Sequence, residues 1–319
     1  IYAAAKKRAR TLRDRDAYPK NADPDTKAFV RYWFDPLARK QLTALSDSIK
    51  EVRSRRLREA LWCAFSRLII TKSAGASRAM DLSHSRPHRV FERAPVKPLS
   101  KFILAARHVA QSIKPSNKSN EPTSLLKKGD ARRMPLRASS VDLVITSPPY
   151  LNAIDYIRCS KFTLVWMGHS IPKLSELRRE SVGTEVGLKY GPDQKYIKRI
   201  ARKMGLNKKL SSRHEAILAR FIDDMCKAIR EVARVLVPGG KAIYVVGENT
   251  VRGSYIRNSS LIVEAAKLAG LRLHNKRSRR LPQNRRYLPP PTAKKERALL
   301  NARMRREVVL TLQKSKIAA

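Results

Sequence analysis

The stretch Val141-Asp142-Leu143-Val144-Ile145-Thr146-Ser147-Pro148-Pro149-Tyr150 decides how the chain is read. Its first five residues are mostly β-branched or leucine and predict a short buried strand. Two prolines then end it, because neither can donate to a sheet ladder. A hydroxyl, two rigid prolines and an aromatic ring therefore stand at the C-terminal edge of an expected parallel strand. Open α/β sheets bind their ligands at that edge. Because the prolines fix φ, the Pro148 carbonyl keeps one direction. Together with the Ser147 hydroxyl it can accept hydrogen bonds from an exocyclic NH2 group. Tyr150 offers a flat face on which a base drawn out of a duplex can stack. The competing reading of these residues is a strand followed by an ordinary Pro-Pro turn.

Downstream, the pattern is orderly. Residues 213–235 read as a helix, with Ile217, Phe221, Met225, Ile229 and Val232 on one stripe and Ser211 and Ser212 available as caps. Leu236-Val237-Pro238-Gly239-Gly240 then turns into a strand over Ala242–Val246, the glycines making the turn. Leu261–Leu268 reads as a helix, and Leu271–Asn275 and Glu307–Gln313 as a closing pair of strands.

Upstream, residues 1–13 read as a basic helix, 14–25 as a loop, and 27–71 as helices broken near Asp35-Pro36. Trp33, Phe34 and Trp62 are expected to pack these helices together. Residues 72–97 are irregular and basic, 98–113 helical, and 114–122 a linker. Ser124–Lys127 reads as a short strand leading to Gly129-Asp130-Ala131-Arg132. Residues 151–166 are expected to run from Tyr150 into a helix that covers the site, and 170–212 to form a long polar and basic loop, an insertion against nucleic acid.

The composition narrows the function. The 319 residues include 69 Lys and Arg against 26 Asp and Glu, a net charge of +43 spread along the whole chain. Such a balance favours a polyanionic partner and salt-dependent binding. No apolar run is long enough to span a bilayer and no signal peptide is visible, so the expected compartment is the cytoplasm, in association with the nucleoid. Cys63, Cys159 and Cys226 have no metal-ligand spacing and are expected to be packing residues. His84 and His88 are four apart, but Pro87 between them and the lack of a third ligand argue against a metal site.

Thr146-Ser147-Pro148-Pro149-Tyr150 resembles the catalytic motif (Ser/Asn/Asp)-Pro-Pro-(Tyr/Phe/Trp) of the amino-methylating DNA methyltransferases. The resemblance covers about residues 123–315 and implies an α/β fold, a class I Rossmann-like methyltransferase sheet, for a catalytic domain at 123–319. The largely helical basic region at residues 1–122 lies outside it, where a target-recognition or substrate-binding insertion could lie. It implies S-adenosyl-L-methionine as cofactor and methyl transfer to N4 of cytosine or N6 of adenine in a flipped base. Serine at the first motif position favours N4. Ser147, Pro148, Pro149 and Tyr150 become the catalytic residues. Asp130, Ala131 and Thr146 become cofactor contacts, with a turn aspartate as the other reading of Asp130. Arg252, Arg285, Arg286 and Tyr287 are candidate nucleic-acid contacts, the last three in a proline-held basic loop. The absence of a Pro-Cys pair argues against the C5-cytosine class, and a restriction partner would suit the family.

The chain departs from the family in one respect: no Phe-x-Gly-x-Gly loop is present among its 12 glycines. The expected explanation is that the first strands lie upstream of Ile1. The alternatives are an RNA methyltransferase of the guanine-N2 type and a non-catalytic nucleic-acid-binding relative.

Overall fold

The computed structural model describes residues 1–80, 82, 87–113, 124–151, 155–184, 194–206, 211–251, 254–281 and 306–316. The chain divides into two compact units, Ile1–Ser124 with Asp155–Arg178, and Leu125–Ile154 with Arg179–Ala319.

The first unit is helical. Helices α1 (Tyr2–Thr11), α2 (Pro24–Trp33), α3 (Pro36–Lys50), α4 (Arg55–Ile69) and α5 (Pro98–Ser112) are joined by a 3-10 turn at Asp14–Asp16 and a two-residue hairpin, β1 (Ala79–Met80) with β2 (His88–Arg89). The break at Asp35-Pro36 is a capped helix start: Asp35 accepts from the Ala38 N–H, and Pro36 needs no partner at the first helical position. Asp23 and Pro24 do the same for α2, so that helix begins inside the segment expected to be a loop. Helices α6 (Tyr156–Met167) and α7 (Ile171–Glu180) close this unit. The apolar face of α6 is buried in its core. Phe34 meets the Trp166 ring edge-on at 5.4 Å, and Trp33 meets Phe162 at 4.9 Å.

The second unit holds the sheet. Its order is β3 (Val141–Thr146), β4 (Leu236–Gly247), β8 (Arg306–Lys314), β7 (Leu271–Arg280). Strand β3 runs parallel to β4, while β8 is antiparallel to both β4 and β7. Three strands thus share one direction, with β8 inserted against them. A hairpin of β5 (Asn249–Val251) and β6 (Ser254–Ile256) follows β4. Helices α8 (Gln194–Lys203), α9 (Ser212–Val235) and α10 (Asn258–Leu268) complete the unit. Ala242, Tyr244 and Val246 of β4 and Val308, Leu310 and Leu312 of β8 alternate onto the face shared with α9 and α10. The expected turn at the two glycines is not what forms: β4 begins at Leu236, directly after α9, and Gly239 and Gly240 lie inside the strand, where its register with β3 shifts. Gly239 has φ +80°, and a Cβ on Gly240 would stand 2.9 Å from the Val237 carbonyl.

Three expectations fail. Residues 124–127 form no strand, and Leu126 is 99% exposed. Strand β3 is not buried on both faces: Val144 packs on the core, but Leu143 and Ile145 are 48% and 69% exposed. The second failure follows from the layers: Leu143 and Ile145 stand on the face opposite Val144, Ala242 and Tyr244, away from the core, and among the described residues that face is left open. The third failure is the long insertion at 170–212, which contains α7 and α8. Ile197, Ile200, Ala201 and Met204 recur at helical spacing and are buried, so the signal was in the sequence and was hidden by the surrounding lysines and arginines.

The cysteines separate by environment. Cys226 lies in the second unit's core, where burial pushes its thiol up to about 11, whereas Cys63 is exposed and does no packing. Since the thiolate is the nucleophile, iodoacetamide at pH 8 is expected to label Cys63 in the native protein and spare Cys226 until unfolding. Peptide mass mapping checks this. Equal labelling of the two would contradict the packing of α9.

Candidate functional site

Ser147-Pro148-Pro149-Tyr150 leaves the sheet at the C-terminal end of β3, just after the last paired residue, Thr146, which stands opposite Tyr244. Ser147 is exposed; the two prolines and Tyr150 are half-buried. Tyr150 rests partly on the core of the second unit, so its ring is located by packing rather than free in solvent. Gly183, at φ +79°, passes so close to Pro149 that an added Cβ would lie 3.3 Å from the proline ring. The segment after α7 therefore straps the motif from the side.

Asn258 fixes the other side, and sequence reasoning missed it. Its Oδ1 accepts from the Leu151 N–H at 3.4 Å, and its Nδ2 donates to the Gly247 carbonyl at 3.0 Å. One buried amide thus ties the loop after β3 to the C-terminal end of β4. Glu248 is buried beside it and accepts from both the N–H and the hydroxyl of Ser259, at the start of α10, where a carboxylate suits the positive end of the helix. Tyr255 of β6 is exposed; partial burial and the neighbouring Glu248 charge hold its phenol above the ordinary range. The only hint of Asn258 in the sequence was its position at a helix start, a signal shared by many structural asparagines.

Asp130 is held by Arg132. Its Oδ1 accepts from the Arg132 N–H at 2.8 Å, and its Oδ2 meets the guanidinium at 2.7 Å. The guanidinium beside it, together with the backbone N–H, keeps the carboxyl below its usual range. The same arginine reaches Asp224 of α9 at 2.7 Å and the Glu180 carbonyl at 2.7 Å. Residues 130–140 then run along α9. Met134 N–H donates to Glu231, Arg234 donates to the Met134 and Leu136 carbonyls, and Ser139 and Ser140 donate to the carbonyls of Arg234 and Val235. Asp224 lies ten residues before Arg234, about 15 Å along the helix. The Asp130 turn is therefore well removed from the start of β3, toward the end where Ser147 sits. The short segment 180–183 joins the two groups, bonded to Arg132 at one end and seated on Pro149 at the other.

The structure thus brings Asp130, Ala131, Thr146 and Ser147–Tyr150 onto one unit and links them. Arg252, Arg285, Arg286 and Tyr287 lie outside the described residues. The depression lined by Asp142, Leu143 and Val237–Lys241 is at the opposite end of β3 and β4. Among the described residues no three potential metal ligands cluster, and no helix is long and apolar enough to cross a membrane.

No protein-family model and no curated protein matches the chain. Three crystal structures of one Thermus thermophilus protein, assigned as a DNA modification methylase, are similar to it. Identities are 20%, 21% and 22%, with TM-scores of 0.30, 0.32 and 0.29, and the second of them is a complex with S-adenosyl-L-methionine. Each alignment covers 60% of this chain and 53%, 53% and 54% of that one, so the chain spans about half the length of these structures. At TM-scores near 0.3 the likeness carries no argument, and fold and site rest on this chain's own residues.

Proposed function

We propose that the chain is a DNA amino-methyltransferase, moving a methyl group from S-adenosyl-L-methionine to the exocyclic amino nitrogen of a base turned out of the duplex. N4 of cytosine is preferred to N6 of adenine, because serine stands first in the motif. The observation that supports this reading is the position of Ser147-Pro148-Pro149-Tyr150 at the C-terminal end of a parallel strand, clamped by Asn258 and Gly183. Catalysis by this chain is then orientation. The Ser147 hydroxyl and the Pro148 carbonyl accept the two N–H bonds of the amine, which turns the nitrogen lone pair toward the donor. Those acceptors also favour the positive charge that develops on nitrogen as it is alkylated. Tyr150, located by the core, stacks the base and holds it at that distance.

The described residues suit the amine side of the reaction and not the cofactor side. The Asp130 carboxylate is already occupied by Arg132, and among the described residues no strand flanks β3 on its open edge to wall a pocket. S-adenosyl-L-methionine would supply an activated methyl group when bound. This mismatch favours a second reading, a nucleic-acid-binding relative without transfer activity.

The two readings part in one experiment. The protein is incubated with methyl-labelled S-adenosyl-L-methionine and either duplex DNA or RNA, and the nucleic acid is digested to nucleosides. Label in N4-methylcytosine is the expected outcome. Label in RNA alone would move the substrate to RNA. No label, with salt-sensitive DNA binding intact, would leave the binding protein.

A further inference from the structure

In the helical unit, an arginine is buried without a partner among the described residues. Arg39, on α3, is 7% exposed, and its Nε and Nη1 are sealed from solvent with no hydrogen-bond acceptor. Its guanidinium lies over the Tyr18 ring at 4.9 Å. The Tyr18 hydroxyl accepts from Arg31 at 3.2 Å. Arg78 spans the same region, donating to the Arg31 and Tyr32 carbonyls at 3.2 Å each and to the Glu92 carbonyl at 2.9 Å. Arg89 covers the exposed ring of Tyr32 at 5.2 Å. Burial and then the charges of Arg89 and Arg39 lower the proton affinity of Arg78, so the three cations feel one another.

Among the described residues the balancing charge is partial: the Asp35 and Glu92 carboxylates offset some of it at Arg78, and neither bonds the Nε or Nη1 of Arg39. Asp35 is the buried carboxylate near them, and both its oxygens are spent on backbone, Oδ1 on the Ala38 N–H at 3.0 Å and Oδ2 on the Ala94 N–H at 2.7 Å. An uncompensated buried cation is among the costliest features a fold can carry. Stacking on Tyr18 offsets only part of that. A buried polar group without a partner calls for an absent ligand or ion to explain it. The guanidinium is a planar fork that matches phosphate oxygens two at a time.

We propose that Arg39, with Arg78 and Arg89 around it, is a binding site for a phosphate group, and that the phosphate belongs to a nucleic-acid backbone. The Tyr32 ring beside it is exposed, as a base-stacking platform must be, and the net charge of +43 points to a polyanion rather than to a free ion. The site stands on the helical unit alone and does not depend on methyl transfer.

The test uses the whole protein and inorganic phosphate, with sodium chloride at equal ionic strength as control. Phosphate is expected to raise the Tm of the wild type saturably, and not that of Arg39→Met. In chloride, Arg39→Met should be at least as stable as the wild type, since it removes an unpaired buried charge. A short single-stranded oligonucleotide should compete with phosphate, and its binding should lose about one unit of salt slope in Arg39→Met. Arg89→Ala, at an exposed position, should weaken the phosphate effect without a loss of folding. If phosphate acts no differently from chloride on the wild type, or if Arg39→Met is destabilised equally in both salts, the site is refuted. Phosphate binding that no oligonucleotide displaces would refute the nucleic-acid source.

Discussion

Arg132→Met is expected to destabilise the second unit by about 3–5 kcal/mol, the cost of leaving one member of a buried ion pair without the other. Among the described residues, Arg132 is the single cation that reaches Asp130, Asp224 and the Glu180 carbonyl together. Asp224 has a side chain only 6% exposed, and its Oδ2 already lacks a hydrogen bond, so removal of the guanidinium strands a full charge inside the unit. For a unit of this size the loss corresponds to a fall in Tm of roughly 10 °C. Thermal or urea unfolding measures it. The double variant Arg132→Met, Asp224→Leu should recover most of the loss, because the pair is then replaced by apolar contact. A single-variant loss under about 1 kcal/mol would mean that the pair is a solvated surface contact.

The same contact has a pH signature. The folded carboxyl of Asp130 titrates below its ordinary value because of Arg132. Its stabilising contribution is therefore present above the ordinary carboxylate value and is lost as the pH falls through the depressed one. In Arg132→Met that part of the acid sensitivity should disappear.

Much of the second unit was legible in the sequence because its signals are local. The stripe on α9 and the run into β4 each depend on residues a few positions apart, and both formed, although β4 takes in Pro238-Gly239-Gly240 and starts at Leu236 instead of after a turn. The closing strands are as placed but longer, β7 continuing to Arg280. An exposed edge strand tolerates Lys276, Arg277, Arg279 and Arg280, whereas a sequence pattern weighted on apolar residues stops before them. What sequence could not supply was the set of neighbours. Leu143 and Ile145 look like core residues until the open face of β3 is seen. The site divides in the same way. Ser147–Tyr150 declared itself by a hydroxyl, two prolines and an aromatic ring standing together at the end of one strand. Asn258, Arg132 and Gly183, which fix it, are ordinary residues whose role exists only in three dimensions.

If the motif orients an amine, two substitutions in it should remove methyl transfer without unfolding the protein. Ser147 is exposed and makes no contribution to the core, so Ser147→Ala should leave Tm unchanged. It deletes one acceptor for the charge that develops on the amino nitrogen, an effect on the order of 10²-fold in kcat for a single preorganised polar contact. Tyr150→Ala removes the stacking face, about 1–3 kcal/mol per base, a fall of roughly 5- to 150-fold in kcat/KM. Since Tyr150 also packs on the core, that variant alone is ambiguous. Tyr150→Phe resolves it: the ring keeps both packing and stacking, and activity should stay near wild type. The readout is the rate of label transfer from S-adenosyl-L-methionine to DNA, beside the Tm of each variant. Unchanged transfer in Ser147→Ala would sink the orienting role, and would leave the Pro-Pro turn as no more than the end of β3. A Tyr150→Phe variant as inactive as Tyr150→Ala would instead make the phenol oxygen, not the ring, the group that matters.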